Sequence, residues 1–312
     1  MRFREAQHSP SSGCYSNTHK LCCQPNIYFR FRAQLQQKCS IVHNDVLATD
    51  SAAGSVYGER FPVSLRSLSL QLYSVRDALN DDIPGTLARV ADIGFTQVEA
   101  SYKVLSRGPE LLDAIRANKL AAPTMTSPLF DGVDRDHVFA TANELGASAV
   151  IETFLPEPLW TSADDVSRIA DELNSAAEKA ASYGLRVGYH NHWWELERKF
   201  EGMTALDLLA SRLAPEVVFE IDAYWVAVGG TDPVDFITRH AERVRFLHLK
   251  DGPVNRTNTE QRPAGQGSMP LLDVVAATPN LEAGVIEFDA YDGDVFDAVA
   301  QSFAYLAPRV SA

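Results

Sequence analysis

Several features that are common in proteins are missing from most of this chain. Residues 63–312 contain no cysteine, because all four cysteines lie at positions 14, 22, 23 and 39. A body without cysteine has neither a disulfide framework nor a thiolate zinc site, and we expect a cytoplasmic protein. No apolar run approaches 18 residues, so we predict no membrane span. Positive charge is also scarce, and a formal net charge of −13 disfavours a nucleic-acid partner bound through its phosphates.

The first 62 residues differ from the rest of the chain in charge and in pattern. They hold seven Lys/Arg and four Asp/Glu, a balance of +3, which leaves −16 for the remaining residues. They show neither a helical period nor strand alternation, and they lack the apolar core of a signal peptide. We interpret residues 1–62 as a disordered extension and residues 63–312 as one folded domain. A second interpretation is that translation starts at Val63, because organised sequence begins close to it.

From residue 68 onward, short apolar runs alternate with helical patterns eight times. Strands are predicted within 68–74, 95–100, 120–126, 148–153, 185–190, 217–222, 244–250 and 283–289. Helices are predicted near 84–93, 109–118, 135–145, 163–183, 204–213, 233–241, 270–277 and 294–306. Eight strand–helix units in a domain of this length are typical of a single closed (β/α)₈ barrel of the α/β class. No G-x-G-x-x-G motif follows the first predicted strand, which disfavours a dinucleotide-binding sheet.

Side chains alternate between the two faces of each predicted strand, and one face ends in polar groups. In "VRFLHLK" (244–250), Leu247 and Leu249 point toward the helices, whereas His248 and Lys250 point toward the barrel axis. The same alternation places an acidic group or a histidine at the ends of five other strands, namely Glu99, Glu152, His190, Asp222 (with Glu220) and Glu287. The active sites of (β/α)₈ enzymes lie at this end of the strands.

Several carboxylates that converge at one barrel mouth repel one another unless a cation lies between them. The best-placed candidate ligands come from the fourth, sixth, seventh and eighth strands: Glu152, Asp222, His248 and Glu287. Three carboxylates and one imidazole suit Mn²⁺ or Mg²⁺, with Co²⁺ or Zn²⁺ as alternatives. Ordinary salt bridges at the strand ends are the competing explanation of the same four residues.

Six stretches follow one another in a specific order along the predicted barrel. They are "LQLYSVRDAL" (70–79), "IGFTQVE" (93–99), "GYHNHWWELE" (188–197), "EIDAYWVAVGGTDPVDFI" (220–237), "FLHLKDG" (246–252) and "VIEFD" (285–289). Together they resemble the sugar phosphate isomerase/epimerase superfamily of xylose isomerase-like TIM barrels. The resemblance covers about residues 68–306 and is strongest to the branch that contains keto-sugar epimerases and inosose dehydratase-like proteins.

This resemblance implies a divalent metal held by the four residues already selected, and it implies an isomerase or epimerase acting on a keto sugar or polyol derivative. A bound metal acts as a Lewis acid and stabilises the enediolate formed when the adjacent C–H loses its proton. By resemblance, Glu152 and Glu287 are also the acid/base pair that removes one proton and returns another. The expected partner is a small sugar or polyol, and the sequence leaves assembly into a homo-oligomer open.

Five further residues are predicted to bind the substrate: Glu99, His190, Lys250, Trp225 and Arg256. For His190 the alternative is a role in the core, and for Lys250 it is a pair with Glu220. Trp225 and Val254 occupy positions where related ketohexose epimerases carry a histidine and an arginine, which disfavours a simple ketohexose. An inositol derivative, a 3-keto-glycoside and a sugar acid remain open. Asp251 is expected to cap the loop that follows it.

Three other functions are compatible with the same barrel. Loss of water after the same proton removal gives a dehydratase of an inosose-like substrate, which is the main alternative. An endonuclease IV-like DNA-repair enzyme needs several metals, and the five histidines and acidic charge of residues 63–312 disfavour it. Glu152 and Glu287 argue against a barrel that only binds sugar.

Overall fold

Eight apolar runs of the chain form the parallel strands of a closed barrel in the computed structural model, which describes residues 65–130 and 132–310. The strands are Leu68–Gln71 (β1), Gln97–Ser101 (β2), Ala121–Thr126 (β3), Ala149–Glu152 (β4), Arg186–His190 (β5), Val218–Asp222 (β6), Val244–His248 (β7) and Ala283–Ile286 (β8). Consecutive strands pair in parallel, and β1 pairs with β8 to close the barrel. The predicted (β/α)₈ fold is confirmed. The interpretations of residues 1–62 and of Val63 as a start site lie outside the described residues.

The eight predicted helices are present, and each of their ends lies within two residues of the predicted position. Their bounds are Ile83–Ile93, Glu110–Ala117, Arg135–Leu145, Ala163–Ala181, Ala205–Arg212, Pro233–Arg239, Leu271–Ala276 and Val295–Leu306. The S-x-x-D spacing of Ser162 and Asp165 predicts a capping box before the longest helix. The structure confirms it, because the Asp165 N–H donates to Ser162 Oγ over 3.1 Å and the Ser162 hydroxyl donates to the Asp165 carboxylate over 2.8 Å. In the part of the chain that the structure describes, no helix combines the length and the apolar character needed to cross a membrane.

Short elements that the sequence did not predict follow several strands and shape the barrel mouth. The α-helical ones are Arg76–Asp81, Tyr102–Leu105, Trp194–Glu197 and Ala223–Val228. The 3₁₀ turns are Leu72–Val75, Glu157–Leu159, Asn258–Glu260 and Ala307–Arg309, and a small hairpin joins Lys199–Phe200 to Met203–Thr204. Alternation along the first predicted strand puts Tyr73 on the same inner face as Ser69 and Gln71. The chain instead enters a 3₁₀ turn after Gln71, so Tyr73 lies outside β1 and is exposed.

The barrel interior contains its own small apolar cluster, separate from the layer between strands and helices. Its members are Ala149, Ile151, Val218, Phe246 and Ala283. Ile151 is paired in register with Gly188 of β5, and a Cβ atom at Gly188 would lie 2.5 Å from Ile151 Cδ1. Val150 instead belongs to the outer layer. Alternation along the fourth predicted strand puts Val150 on the inner face together with Glu152, and for Val150 this prediction is wrong.

The loop after β7 is organised by one buried carboxylate. Asp251 Oδ1 accepts hydrogen bonds from the N–H groups of Gly252 (2.8 Å) and Met269 (3.0 Å). Asp251 Oδ2 accepts from the N–H groups of Gly265 (2.8 Å) and Gly267 (3.1 Å). The prediction that Asp251 caps this loop is confirmed, and the carboxylate ties both ends of the loop to the barrel.

We predict that Asp251→Asn lowers the free energy of unfolding by about 1–3 kcal/mol, because an amide group cannot accept all four N–H groups and leaves buried donors without a partner. Urea denaturation followed by circular dichroism measures the change. Asp292→Asn, at an exposed aspartate, is the matched control and should leave stability within about 0.5 kcal/mol. Equal stability of the two variants would contradict the capping role.

Candidate metal centre

Four buried side chains meet at the carboxyl ends of the barrel strands. His190, Asp222, His248 and Glu287 each offer one donor atom, and these four atoms lie within 4.8 Å of one another. The strand register explains part of this grouping, because Asp222 is paired with His248 across β6 and β7. Val285 of β8 is likewise paired with His248, so Glu287 follows two residues later on the same face. Three of the four predicted ligands are therefore brought together, and His190 joins them.

The fourth predicted ligand, Glu152, lies outside that group. Its carboxylate accepts hydrogen bonds from the N–H groups of Leu129 (2.7 Å) and Phe154 (3.1 Å). Glu152 is paired in register with Tyr189, which packs in the outer layer of the barrel. Burial raises the pKa of Glu152 from its ordinary 4.5 to about 7, although the two backbone donors oppose the shift. Glu152 is thus a carboxyl group that titrates near neutral pH, beside the cluster rather than within it.

His248 is the centre of the acidic cluster. Its Nδ1 lies 2.6 Å from Glu287 Oε2, and its Nε2 lies 3.1 Å from both Glu99 Oε1 and Glu220 Oε2. Burial opposes a charge on the ring, but Glu220 and Glu287 outweigh it and raise the pKa of His248 well above 6.5. In this arrangement the imidazole supplies positive charge to three buried carboxylates.

A second acidic layer lies around the same histidine. Glu99, Glu220 and His248 also form a group of donor atoms within 4.8 Å of one another. Gln71 and Thr124 both donate to the Glu99 carboxylate. Burial and the neighbouring Glu99 raise the pKa of Glu220 well above 4.5. Glu99 is completely buried and does not line the cavity described below, so the structure places this predicted substrate-binding residue beneath the site.

Lys250 supplies the second positive charge of the centre. Its Nζ lies 2.9 Å from Asp222 Oδ2, 2.7 Å from Glu287 Oε2 and 2.7 Å from Asp289 Oδ2. These partners, rather than Glu220, the alternative that the sequence left open, form its carboxylate contacts among the described residues. Burial opposes the charge, but the three carboxylates raise the pKa of Lys250 well above 10.5. Sequence reasoning missed Asp289, although it shares the alternation of Val285 and Glu287.

A cavity of about 1180 Å³ opens above these groups. His190, His248 and Glu287 reach its floor, and Trp225 and Arg256 line its walls. The Trp225 N–H donates to Asp222 Oδ1 over 3.0 Å, which begins the short helix after β6. The Arg256 guanidinium lies 3.5 Å above the centre of the Trp193 ring and pairs with Glu197. The structure therefore places three of the five predicted substrate-binding residues, His190, Trp225 and Arg256, in the cavity lining, while Glu99 and Lys250 do not line it.

The donor set fits a divalent cation. Burial, together with His248 and His192, lowers the pKa of His190 well below 6.5, so its ring is neutral, the form that binds metals. Nδ1 of His190 is buried and makes no hydrogen bond to any described residue, although Glu220 Oε2 lies 3.4 Å away. Two imidazoles and two carboxylates suit Zn²⁺, Co²⁺ and Mn²⁺.

We predict that Lys250→Met lowers the free energy of unfolding of the metal-free protein by about 3–5 kcal/mol, because it leaves buried carboxylates without their cation. Urea denaturation in the presence of a chelator measures this loss. Lys199→Met removes an exposed lysine and should change stability by less than about 0.5 kcal/mol. A Lys250→Met protein as stable as the Lys199→Met control would show that the buried ammonium does not hold the centre together.

A second carboxyl group, Glu195, is buried behind the cavity wall. It accepts hydrogen bonds from the Tyr189 hydroxyl (2.8 Å) and from the His192 N–H (3.0 Å). Burial raises its pKa from 4.5 to about 8. A carboxyl group whose pKa rises on folding stabilises the folded state when the pH is below the pKa of the unfolded state. That stabilisation is lost as the pH rises toward the pKa of the folded state.

For Glu195 the window therefore runs from about pH 4.5 to about pH 8. As the pH rises through this range, we predict that the free energy of unfolding of Glu195→Gln increases relative to that of the unmodified protein, by up to about 1.4 kcal/mol per pH unit. Unfolding by urea at a series of pH values measures the difference. Glu178→Gln, at an exposed position, should show a constant difference. A constant difference for Glu195→Gln as well would mean that this group does not titrate in the window.

Comparison with known proteins agrees with the barrel fold. Residues 87–283 match a family model described as xylose isomerase-like TIM barrel. An inosose dehydratase of Halalkalibacterium halodurans is 24% identical over 202 residues, which cover 55% of this chain and 65% of that protein. The matched regions span 26% to 65% of the length of the curated relatives.

Solved structures share the fold along almost their whole length. A sugar phosphate isomerase/epimerase from Parabacteroides distasonis has a TM-score of 0.66 and 23% identity, and the match covers 85% of this chain and all of that one. The IolI protein, crystallised with a zinc atom, has a TM-score of 0.63 and 14% identity over 78% of this chain and 98% of its own. Because the family model matches more than half of the chain, this protein belongs to the xylose isomerase-like TIM barrel family.

Proposed function

We propose that the chain is a divalent-metal-dependent sugar isomerase or epimerase that moves a proton on a keto sugar or polyol derivative. The observation that carries the proposal is the buried group of His190, Asp222, His248 and Glu287 at the mouth of a barrel of this family. Three of these residues reach a large cavity, so a small molecule can approach them. The similarly folded IolI protein binds a zinc atom, which supports a metal in a barrel of this fold.

Asp222, His248 and Glu287 are the ligands on which the sequence and the geometry agree. His190 is the fourth donor in the present arrangement, and Glu152 stays a predicted ligand that would have to leave Leu129 and Phe154 to reach the group. When bound, a divalent cation would act as a Lewis acid toward the carbonyl and hydroxyl oxygens of the substrate. The two imidazoles favour Mn²⁺, Co²⁺ or Zn²⁺ over Mg²⁺.

The two predicted acid/base residues have pKa values shifted in opposite directions. Although burial opposes it, Lys250 and His248 lower the pKa of Glu287 well below 4.5, so this group is an ionised carboxylate with no proton of its own at neutral pH. Burial raises the pKa of Glu152 to about 7, so about half of the molecules carry a proton on this group at neutral pH. Opposed shifts of this kind assign the acid and base of a proton-transfer site. Glu287 is the base and Glu152 the acid in our proposal.

The other charged groups support this pair. Glu99, beneath the floor, positions His248 through its 3.1 Å contact with Nε2. Lys250 lowers the pKa of Glu287 and opposes the rise that burial causes in the pKa of Asp222, so its charge favours the ionised carboxylates that a cation would bind. His190, Trp225 and Arg256 contact the sugar from the cavity wall.

The test is hydrogen–deuterium exchange at the substrate carbon in D₂O, for a panel that contains a ketohexose, a keto-inositol and a 3-keto-glycoside. We expect exchange in the metal-loaded protein and its loss after chelation. Glu287→Gln should slow exchange by at least about 100-fold. The matched control is Glu178→Gln, because Glu178 is exposed on the helix Ala163–Ala181 and does not line the cavity. Full exchange in Glu287→Gln would remove the assignment of the base.

A dehydratase is the second candidate, because several of the curated relatives are named inosose dehydratase. The same proton removal followed by loss of a β-hydroxyl group converts one reaction into the other. Incubation with keto-inositol distinguishes them. An unsaturated product with loss of water identifies the lyase, whereas exchange with the substrate skeleton unchanged identifies the isomerase or epimerase.

A further inference from the structure

The cavity above the metal-binding group is larger than a single sugar needs. Its volume is about 1180 Å³, while sites for drug-sized ligands typically occupy about 300–1,000 Å³. A sugar ring in contact with His248 and Glu287 at the floor would leave most of this space unfilled. The outer part of the cavity therefore leaves room for a second chemical group attached to the sugar.

The outer wall is built by the segments that follow β1 and β2. These segments contribute apolar side chains, which are Leu72, Leu79, Ile83, Val104 and Leu111. They differ from the polar floor, where His190, Glu287 and Asp289 line the space. The cavity thus has a polar inner half at the strand ends and an outer half, formed by these segments, that offers apolar surface.

Two aromatic rings stand at the outer half with large exposed areas. Phe154 is 58% exposed and Tyr73 is 52% exposed. Within residues 65–130 and 132–310, the exposed large apolar side chains are these two together with Leu159 and Met203. Leu159 and Met203 do not line the cavity. Exposed rings beside a cleft offer flat faces and edges for stacking with another ring.

The neighbourhood of each ring restrains its position. Phe154 makes edge contacts with the rings of His192 and Trp194, with centroids 5.4 Å and 5.8 Å apart. The Arg76 guanidinium lies 4.1 Å from the centre of the Tyr73 ring, and its Nη1 donates to the Tyr73 carbonyl over 2.9 Å. Both rings are therefore held beside the cavity before any ligand binds.

The same wall carries positive charge in a strongly acidic protein. Arg76, Lys103 and Arg107 line the outer half, and Glu110 is the acidic side chain on this wall. Among the described residues, none of these three cations has a carboxylate within 4.0 Å, whereas Arg256 across the cavity is paired with Glu197. Basic groups without acidic partners next to exposed rings favour a ligand that is both flat and negatively charged.

We propose that the substrate is a glycoside whose second group is an aromatic ring carrying a negative charge. The sugar occupies the polar floor, and the ring lies between Tyr73 and Phe154 near Lys103 and Arg107. This inference rests on the proposed function for the sugar end and extends it by naming the group attached to the sugar.

The test is isothermal titration of the Mn²⁺-loaded protein with three glycosides that share one sugar: methyl, phenyl and 4-carboxyphenyl β-glucoside. We expect the phenyl compound to bind about tenfold more tightly than the methyl compound, as expected for aromatic stacking in a preformed site. The carboxyphenyl compound should bind a further several-fold more tightly at low salt, and this extra affinity should fall as salt screens the charges.

Variants separate the two parts of the proposal. Phe154→Ala and Tyr73→Ala should each reduce the phenyl preference at least threefold, while Leu159→Ala, an exposed residue outside the cavity, should keep it. The double variant Lys103→Gln with Arg107→Gln should abolish the carboxyphenyl preference and retain the phenyl preference. Lys199→Gln, an exposed lysine of the small hairpin, is its control.

Phenyl and methyl glycosides of equal affinity, or no binding of the aryl glycosides at millimolar concentration, would overturn the proposal. Equal affinity of the phenyl and carboxyphenyl compounds would overturn its charged part. These titrations do not depend on turnover. If the aryl preference is present but deuterium exchange is absent, the proposed proton transfer fails and the aryl site stands; the reverse result removes the aryl site alone.

Discussion

The arrangement of the barrel mouth depends on the burial of one lysine among carboxylates. Lys250 contacts Asp222, Glu287 and Asp289, which come from two strand ends on either side of it. Buried carboxylates without a cation would cost several kcal/mol each. The ammonium group therefore makes it possible for the acidic side chains of β6 and β8 to approach one another closely enough to share a metal ion.

His248 balances the negative charge of further buried carboxylates inside the barrel. It contacts Glu287 on one side of its ring and Glu99 and Glu220 on the other, so the acidic layer beneath the floor and the acidic layer at the mouth meet at one imidazole. A bound cation would add positive charge to carboxylates that Lys250 and His248 already partly neutralise. A proton and a metal ion would compete for His248. Of the proposed acid and base, Glu152 is buried and does not line the cavity, whereas Glu287 lines it.

The sequence predicted the helices closely and one strand face incorrectly. Helix ends depend on local signals, such as Ser162 and Asp165 before the longest helix and glycines with positive φ at Gly94 and Gly146. In β4, by contrast, Ala149, Val150 and Ile151 are all apolar, so alternation carried no information about which of them faces inward. The pairing of Ile151 with Gly188 decided the face, and it turned Glu152 toward Leu129.

The amino-acid sequence alone determined the eight strand–helix units, the role of Asp251 and the meeting of Asp222, His248 and Glu287. These features depend on local periodicity and on the rule that the carboxyl ends of parallel strands share one edge. Only the tertiary structure decided that His190 joins these residues, that Asp289 pairs with Lys250 and that Tyr73 and Phe154 stand beside the cavity. These outcomes depend on the register between strands and on short helices at the strand ends, which arise from contacts between segments far apart in the chain.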